Sequence, residues 1–234
     1  MQRLKSTTAP PANRKHVLSA AWLCVLATLA STALQAGPQY DTSLPRLHLP
    51  FKQAKLENGL RVITIEDHRT PIVSVVQVFN VGSANEQPGR TGFAHLFEHL
   101  MFQGSANVGP GQHIKLIENY GGFSNATTGT DFTAYFDSVP ANQLDFALFL
   151  NGDRLRSLQI SAGNLAKEKE VVKEELRLRF ENQPYRKGMF VLDELLYDSF
   201  AYRHKGVGTT EDLDAASLPD VRQFFNAYYT AANL

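Results

Sequence analysis

Thiols are nearly absent from this chain. Cys24 is its only cysteine, and it lies in an N-terminal stretch that reads as a removable leader. A mature chain without it has no disulfide, no thiol nucleophile and no thiolate metal site. An excess of either charge is also missing, since 23 Lys and Arg balance 23 Asp and Glu over 234 residues. No internal repeat or low-complexity tract is visible. At 43% hydrophobic the sequence can bury a substantial core, and its composition excludes wholesale disorder.

The leader is explicit. "MQRLKSTTAPPANRKH" carries Arg3, Lys5, Arg14 and Lys15 and no acid. "VLSAAWLCVLATLASTALQA", residues 17–36, is apolar and small. A basic start, an apolar run and then small residues describe a secretory signal. Cleavage fits after Ala33, with Ser31 at the other small position, or after Ala36. Trp22 and Leu23 before Cys24 match a lipoprotein site poorly. The alternative is an uncleaved membrane anchor, because the run approaches bilayer-spanning length. Loss of residues 1–36 leaves 19 basic and 23 acidic residues, a net charge of −4. That balance argues against a nucleic-acid partner.

Residues 37–50 hold three prolines and no period, and read as a linker or N-terminal arm. Residues 51–234 read as one domain. Asn58-Gly59 marks a hairpin followed by the strand run Val62–Ile65. A β-rich run covers Ile72–Val81 and ends in a polar loop over 82–92. Helices are predicted over 93–104 and 111–120. "GGFSNATTGTDFTAYFDSV" returns to strand character, with a turn at Gly129. Further helices are predicted over 140–158, 164–182, 186–198 and 217–229, with Pro140 and Pro219 in first turns. Strands followed by a run of helices predict an α+β fold, a largely antiparallel mixed sheet with helices packed on one face.

"GFAHLFEHLMFQG", residues 92–104, carries the chemistry. His95 and His99 are one helical turn apart, so their imidazoles can converge, and Glu98 flanks the point of convergence. Two imidazoles beside a carboxylate suit zinc, with the carboxylate free to act on a water. Such a motif arises by chance in on the order of one chain in a hundred. Two ligands hold zinc weakly, so the reading needs a third.

"NLAKEKEVVKEELRLRF", residues 164–180, offers Glu168, Glu170, Glu174 and Glu175. With Leu165 at zero, an apolar arc runs from about 220° through zero to about 60°. Glu168 and Glu175 fall inside it, at about 300° and about 280°. Glu170 and Glu174 fall outside, on a charged face with Lys167, Lys173 and Arg177. Two buried carboxylates need a metal or a cation. One is assigned to a metal and one to its support, and the wheel does not say which. Lys169 and Arg179 also fall in the arc, so salt bridging stays an alternative.

These residues resemble the pitrilysin/insulinase family of zinc peptidases, the inverted H-x-x-E-H zincins, which includes the mitochondrial processing peptidases. "LENGLRVI", "VGSANE", "GFAHLFEHLMFQGS", "GGFSNATTGTDFTAYF" and "YYTAANL" resemble family segments in the same order, over residues 52–234. The resemblance implies His95, His99 and Glu175 as zinc ligands and Glu168 as the support. It implies Glu98 as general base toward a metal-activated water, in hydrolysis of peptides or unfolded proteins. Asn125 and Ala126 become positions on a strand that pairs with extended substrate; the same stretch reads equally as an ordinary edge strand. Asn125-Ala126-Thr127 also fits a glycosylation sequon. Family members have two related domains, in one chain or in paired chains. The expectation is therefore an exported, periplasmic domain, incomplete at its C-terminus, with a second family domain or subunit as partner. The alternative is a non-catalytic remnant or binding subunit that keeps the fold.

Overall fold

Asn58-Gly59 turns the chain back on itself, and Gly59 sits at φ +90°, a left-handed value that costs glycine little. Strands β1 (Lys52–Lys55) and β2 (Arg61–Thr64) pair antiparallel across that turn, Lys55 opposite Arg61. The computed structural model describes residues 49–234. The leader, 1–36, and nearly all of the arm, 37–50, lie outside the described residues.

A second sheet frames the site. It has the order β3 (Ile72–Phe79), β5 (Thr133–Pro140), β4 (Phe123–Thr128), and both pairings are antiparallel. The β4–β5 hairpin closes at Gly129, whose N–H donates to Phe132 O at 2.8 Å. Thr133, Tyr135, Asp137 and Val139 point inward from β5. Most polar groups on that face pair within the core, while Ser124 Oγ and Arg154 Nη1 are buried without a partner. Asp137 meets His113 and Asn151, and the buried Arg154 guanidinium bonds Gln77 and Asn151 and lies 4.6 Å from the centre of the Tyr135 ring. The opposite face leaves Ile72, Val76, Val78 and Phe123 exposed. Among the described residues, helices therefore pack on the other face, in keeping with the α+β reading.

Helix α1 (Phe93–Leu100) lies at the centre of the core. Its apolar residues Phe93, Leu96, Phe97 and Leu100 are buried, and Phe97 stacks on Phe224 and Tyr229. The Tyr135 hydroxyl donates to Phe97 O at 3.2 Å and ties the helix to the sheet. Next come α2 (Gln112–Asn119), α3 (Leu144–Ser157) and α4 (Ala162–Glu175), then α5 (Arg186–Leu196), α6 (Phe200–Arg203), α7 (Thr210–Ala215) and α8 (Leu218–Tyr228). Ser161 caps α4 by accepting from Asn164 N–H, and Ser217 caps α8 with Asp220 in a capping box.

Three boundaries differ from the sequence reading. The helix expected over 93–104 ends at Leu100, because the N–H groups of Phe102 and Gln103 turn to His99 and Leu100 three residues back and Gly104 adopts φ +103°. Pro140 closes β5 and does not open a helix, and a 3₁₀ turn precedes α3. The helix expected over 164–182 is α-helical only to Glu175; Leu176–Glu181 is π-helical. Helices α6 and α7 were not expected, being too short for a period to show.

Candidate metal centre

Helices α1 and α4 pack together and bring the two motifs face to face. On α1 the i, i+4 spacing puts His95 and His99 on one side, with Nε2 atoms 3.4 Å apart. From α4, Glu175 Oε2 stands 3.6 Å from His95 Nε2 and 3.3 Å from His99 Nε2. Two turns back on α4, Glu168 Oε2 stands 3.4 Å from His99 Nδ1. Glu168 is buried and Glu175 half-buried, while Glu170 and Glu174 are exposed and paired with Lys173 and Arg177. The inner and outer pairs of the helical wheel are thus separated in space. The arc itself was too wide: Val171 and Leu178, at its edge, are exposed. Neither cation of the stripe neutralises Glu168. Lys169 donates to the carbonyls of Asp214 and Ala216, and Arg179 bonds Glu175 Oε1 at 2.7 Å.

The donor set fits zinc. Bonds of about 2.0–2.1 Å at tetrahedral angles separate donors by about 3.3 Å. The three separations here are 3.4, 3.6 and 3.3 Å, and all three donor atoms lie within 4.8 Å of one another. Two imidazole nitrogens and a carboxylate oxygen pointed at one spot repel each other unless a cation or protons join them. Glu168 Oε2, 3.4 Å from His99 Nδ1, favours a proton on that nitrogen, and Nε2 faces the cluster. His95 Nδ1 is buried without a partner.

Electrostatics separates the two imidazoles. Burial pushes His95 down to about 4, with His99 adding to the effect. Burial opposes protonation of His99 too, but hydrogen bonds to Glu168 and Glu175 outweigh it and hold the ring at about 9. The same hydrogen bond to His99 holds the Glu175 carboxyl below its ordinary value. Burial pushes the Glu98 carboxyl above its ordinary value, against the Thr128 hydroxyl that donates to its Oε2 at 2.5 Å.

His95, Glu98 and Glu175 open into a cleft of about 550 Å³. Ala126 and Thr128 of β4 line it, together with Phe180, Phe190 and His204. Ala126 faces the cleft; Asn125, opposite Phe136 in the ladder, is exposed and does not line it. Sequence reasoning missed Thr128, which nothing distinguishes from its neighbours in "NATTG". It also missed the role of Glu86, although a signal existed: Gly92 has no side chain to cap α1, so the cap must come from elsewhere.

An inverted zincin-type motif on two packed helices, over the inner face of an antiparallel sheet, defines the class. The chain belongs to the family described as Insulinase (Peptidase family M16), whose model matches residues 61–209. It is 31% identical over 209 residues to the zinc protease PqqE of Helicobacter pylori, covering 89% of this chain and 46% of that protein. The crystal structure of a protease from Helicobacter pylori superposes with a TM-score of 0.75 at 33% identity, over 80% of this chain and 45% of that one. The periplasmic protease PqqL of Escherichia coli shares the fold, with a TM-score of 0.72 at 23% identity over 80% of this chain and 22% of that one. This chain spans less than half the length of the curated relatives it matches.

Proposed function

We propose that this chain is the zinc-binding part of an endopeptidase, with His95, His99 and Glu175 as its ligands. One observation carries the reading: three donors from two helices converge at the spacing of a tetrahedral zinc site. Zinc, when bound, acts as a Lewis acid and lowers the pKa of water to roughly 7. Glu168 keeps the His99 ring oriented through Nδ1. Glu98 is the proton carrier. Thr128 holds its Oε2, which leaves Oε1 to take a proton from the attacking water and pass it to the leaving amine.

An extended peptide or unfolded protein segment suits the cleft. Strand β4 is an edge among the described residues, so substrate can add as a further strand through main-chain hydrogen bonds. Ala126 supports that role directly by lining the cleft, and Asn125 by its place on the same strand. A second family domain or subunit completes the enzyme, in keeping with the length of the relatives. The leader points to export, and the periplasmic PqqL shares the fold. No helix among the described residues is long and apolar enough to cross a membrane.

The test is elemental analysis of the purified chain beside Glu175→Gln. About one zinc per chain in the wild type, lost in the variant, is expected. A folded wild-type chain without zinc would leave the remnant reading standing.

A further inference from the structure

We propose that Glu86 and His204 clamp the cleft wall to the start of the histidine helix, which makes His204 a positioning residue for the metal centre. What the clamped helix is used for rests on the peptidase reading; the clamp itself does not.

The N-terminus of α1 begins at Gly92, in a left-handed conformation and without a capping side chain. Glu86 supplies the cap from six residues upstream. Its Oε2 accepts from Gly92 N–H at 2.9 Å and its Oε1 from Ala94 N–H at 2.9 Å. A carboxylate there also meets the positive end of the helix dipole.

His204 holds that carboxylate in place. Its Nε2 lies 2.9 Å from Glu86 Oε2, and its Nδ1 lies 2.6 Å from Phe200 O. Both ring nitrogens face acceptors. A carbonyl has no proton to give, so Nδ1 carries one. The Nε2 contact needs a second, on the ring or on the carboxyl. The pair is thus a closed ion pair or its proton-shared equivalent. The His204 side chain is 7% exposed and that of Glu86 0%. Removing one member would leave the other buried without its charged partner.

The location gives the pair its consequence. His204 and Val207 line the same cleft as His95, Glu98 and Glu175. Backbone meets backbone beside the clamp: a Cβ on Gly208 would lie 2.6 Å from Gly92 Cα and from Thr91 O. Asp212 adds a link by accepting from Thr91 N–H and Oγ1–H. Of these contacts, Glu86 alone bonds the N–H groups of α1 itself. One residue after Ala94 stands His95, so a shift of the helix start moves a zinc donor.

The experiment uses the full chain, with His204→Phe, His204→Gln and Glu86→Gln. Zinc affinity is read by chelator competition, local order by amide exchange at Gly92 and Ala94, and global stability by urea unfolding. His204→Phe should weaken zinc about tenfold, the lower end for residues behind a ligand, and speed exchange at Ala94. His204→Gln, whose amide still donates to Glu86, should restore most of both. Should His204→Phe not fold, Glu86→Gln is read in its place and should move both in the same direction. Wild-type zinc affinity and Ala94 exchange in a folded His204→Phe would overturn the clamp. So would exchange that quickens equally in α1 and α3, which marks a purely global effect. A wild type that binds no zinc sinks the peptidase reading, and Ala94 exchange still decides the clamp.

Discussion

Glu168 Oε2 stands 3.4 Å from His99 Nδ1, on the side of the ring away from the other donors. That contact favours a proton on Nδ1, with Nε2 toward the cluster. Glu168→Gln keeps an acceptor but loses the charge. It should weaken zinc binding about tenfold, and Glu168→Ala up to about a hundredfold, in chelator competition. Unchanged affinity in both would mean that packing alone orients the ring.

Glu98 sits beside His99 yet takes no part in the three-donor cluster. Glu98→Gln should leave one zinc per chain and lower turnover of an unstructured peptide by about 10²–10⁴-fold, once the partner domain or subunit is supplied. Loss of zinc from that variant would make Glu98 a ligand and reverse the assignment.

Acid stability should report Asp153. Burial pushes this carboxyl up, but hydrogen bonds from Ser105, Asn107 and Ser157 outweigh it and hold it at about 2, against an ordinary 3.8. A depressed carboxyl stabilises the fold above its unfolded value and loses that contribution as the pH falls through its folded value. Asp153→Asn should cost about 1–3 kcal/mol in urea unfolding at pH 7. The gap between wild type and variant should narrow from pH about 4 downward and be smallest below about 2. A gap independent of pH would place the cost in geometry and not in charge.

The π-helical stretch offers a test of orientation. Leu176 is buried and Leu178 is 48% exposed. Leu176→Ala should cost about 2–5 kcal/mol. Leu178→Ala should stay within about 0.5 kcal/mol, by thermal or urea unfolding. Equal costs would mean that the helix is turned differently in solution.

Much of this was legible before the structure. Regular signals served well: Asn58-Gly59 marked a hairpin, and the i, i+4 histidines had to share a face. The wheel separated Glu168 and Glu175 from Glu170 and Glu174 because the side of α4 that carries the inner pair packs on α1. It failed for Val171 and Leu178, where an apolar side chain sits at the edge of the contact and periodicity carries no information about how wide the neighbour is. Thr128 and His204 were invisible for another reason. Each acts through a partner 30 or 118 residues away, Glu98 or Glu86, and no local pattern encodes such a distance. Helices α6 and α7 are too short to repeat anything.

The donors are divided unevenly, two on α1 and one on α4, some 76 residues apart in the chain. A metal gripped by all three would act as a removable staple across that span. In the unfolded chain only the weak histidine pair could hold it, so occupancy would report whether the two helices are docked. The ion would thus add to folding stability in proportion to the logarithm of its free concentration. A compartment poor in zinc would then loosen the same helix pair to which the proposed chemistry is assigned.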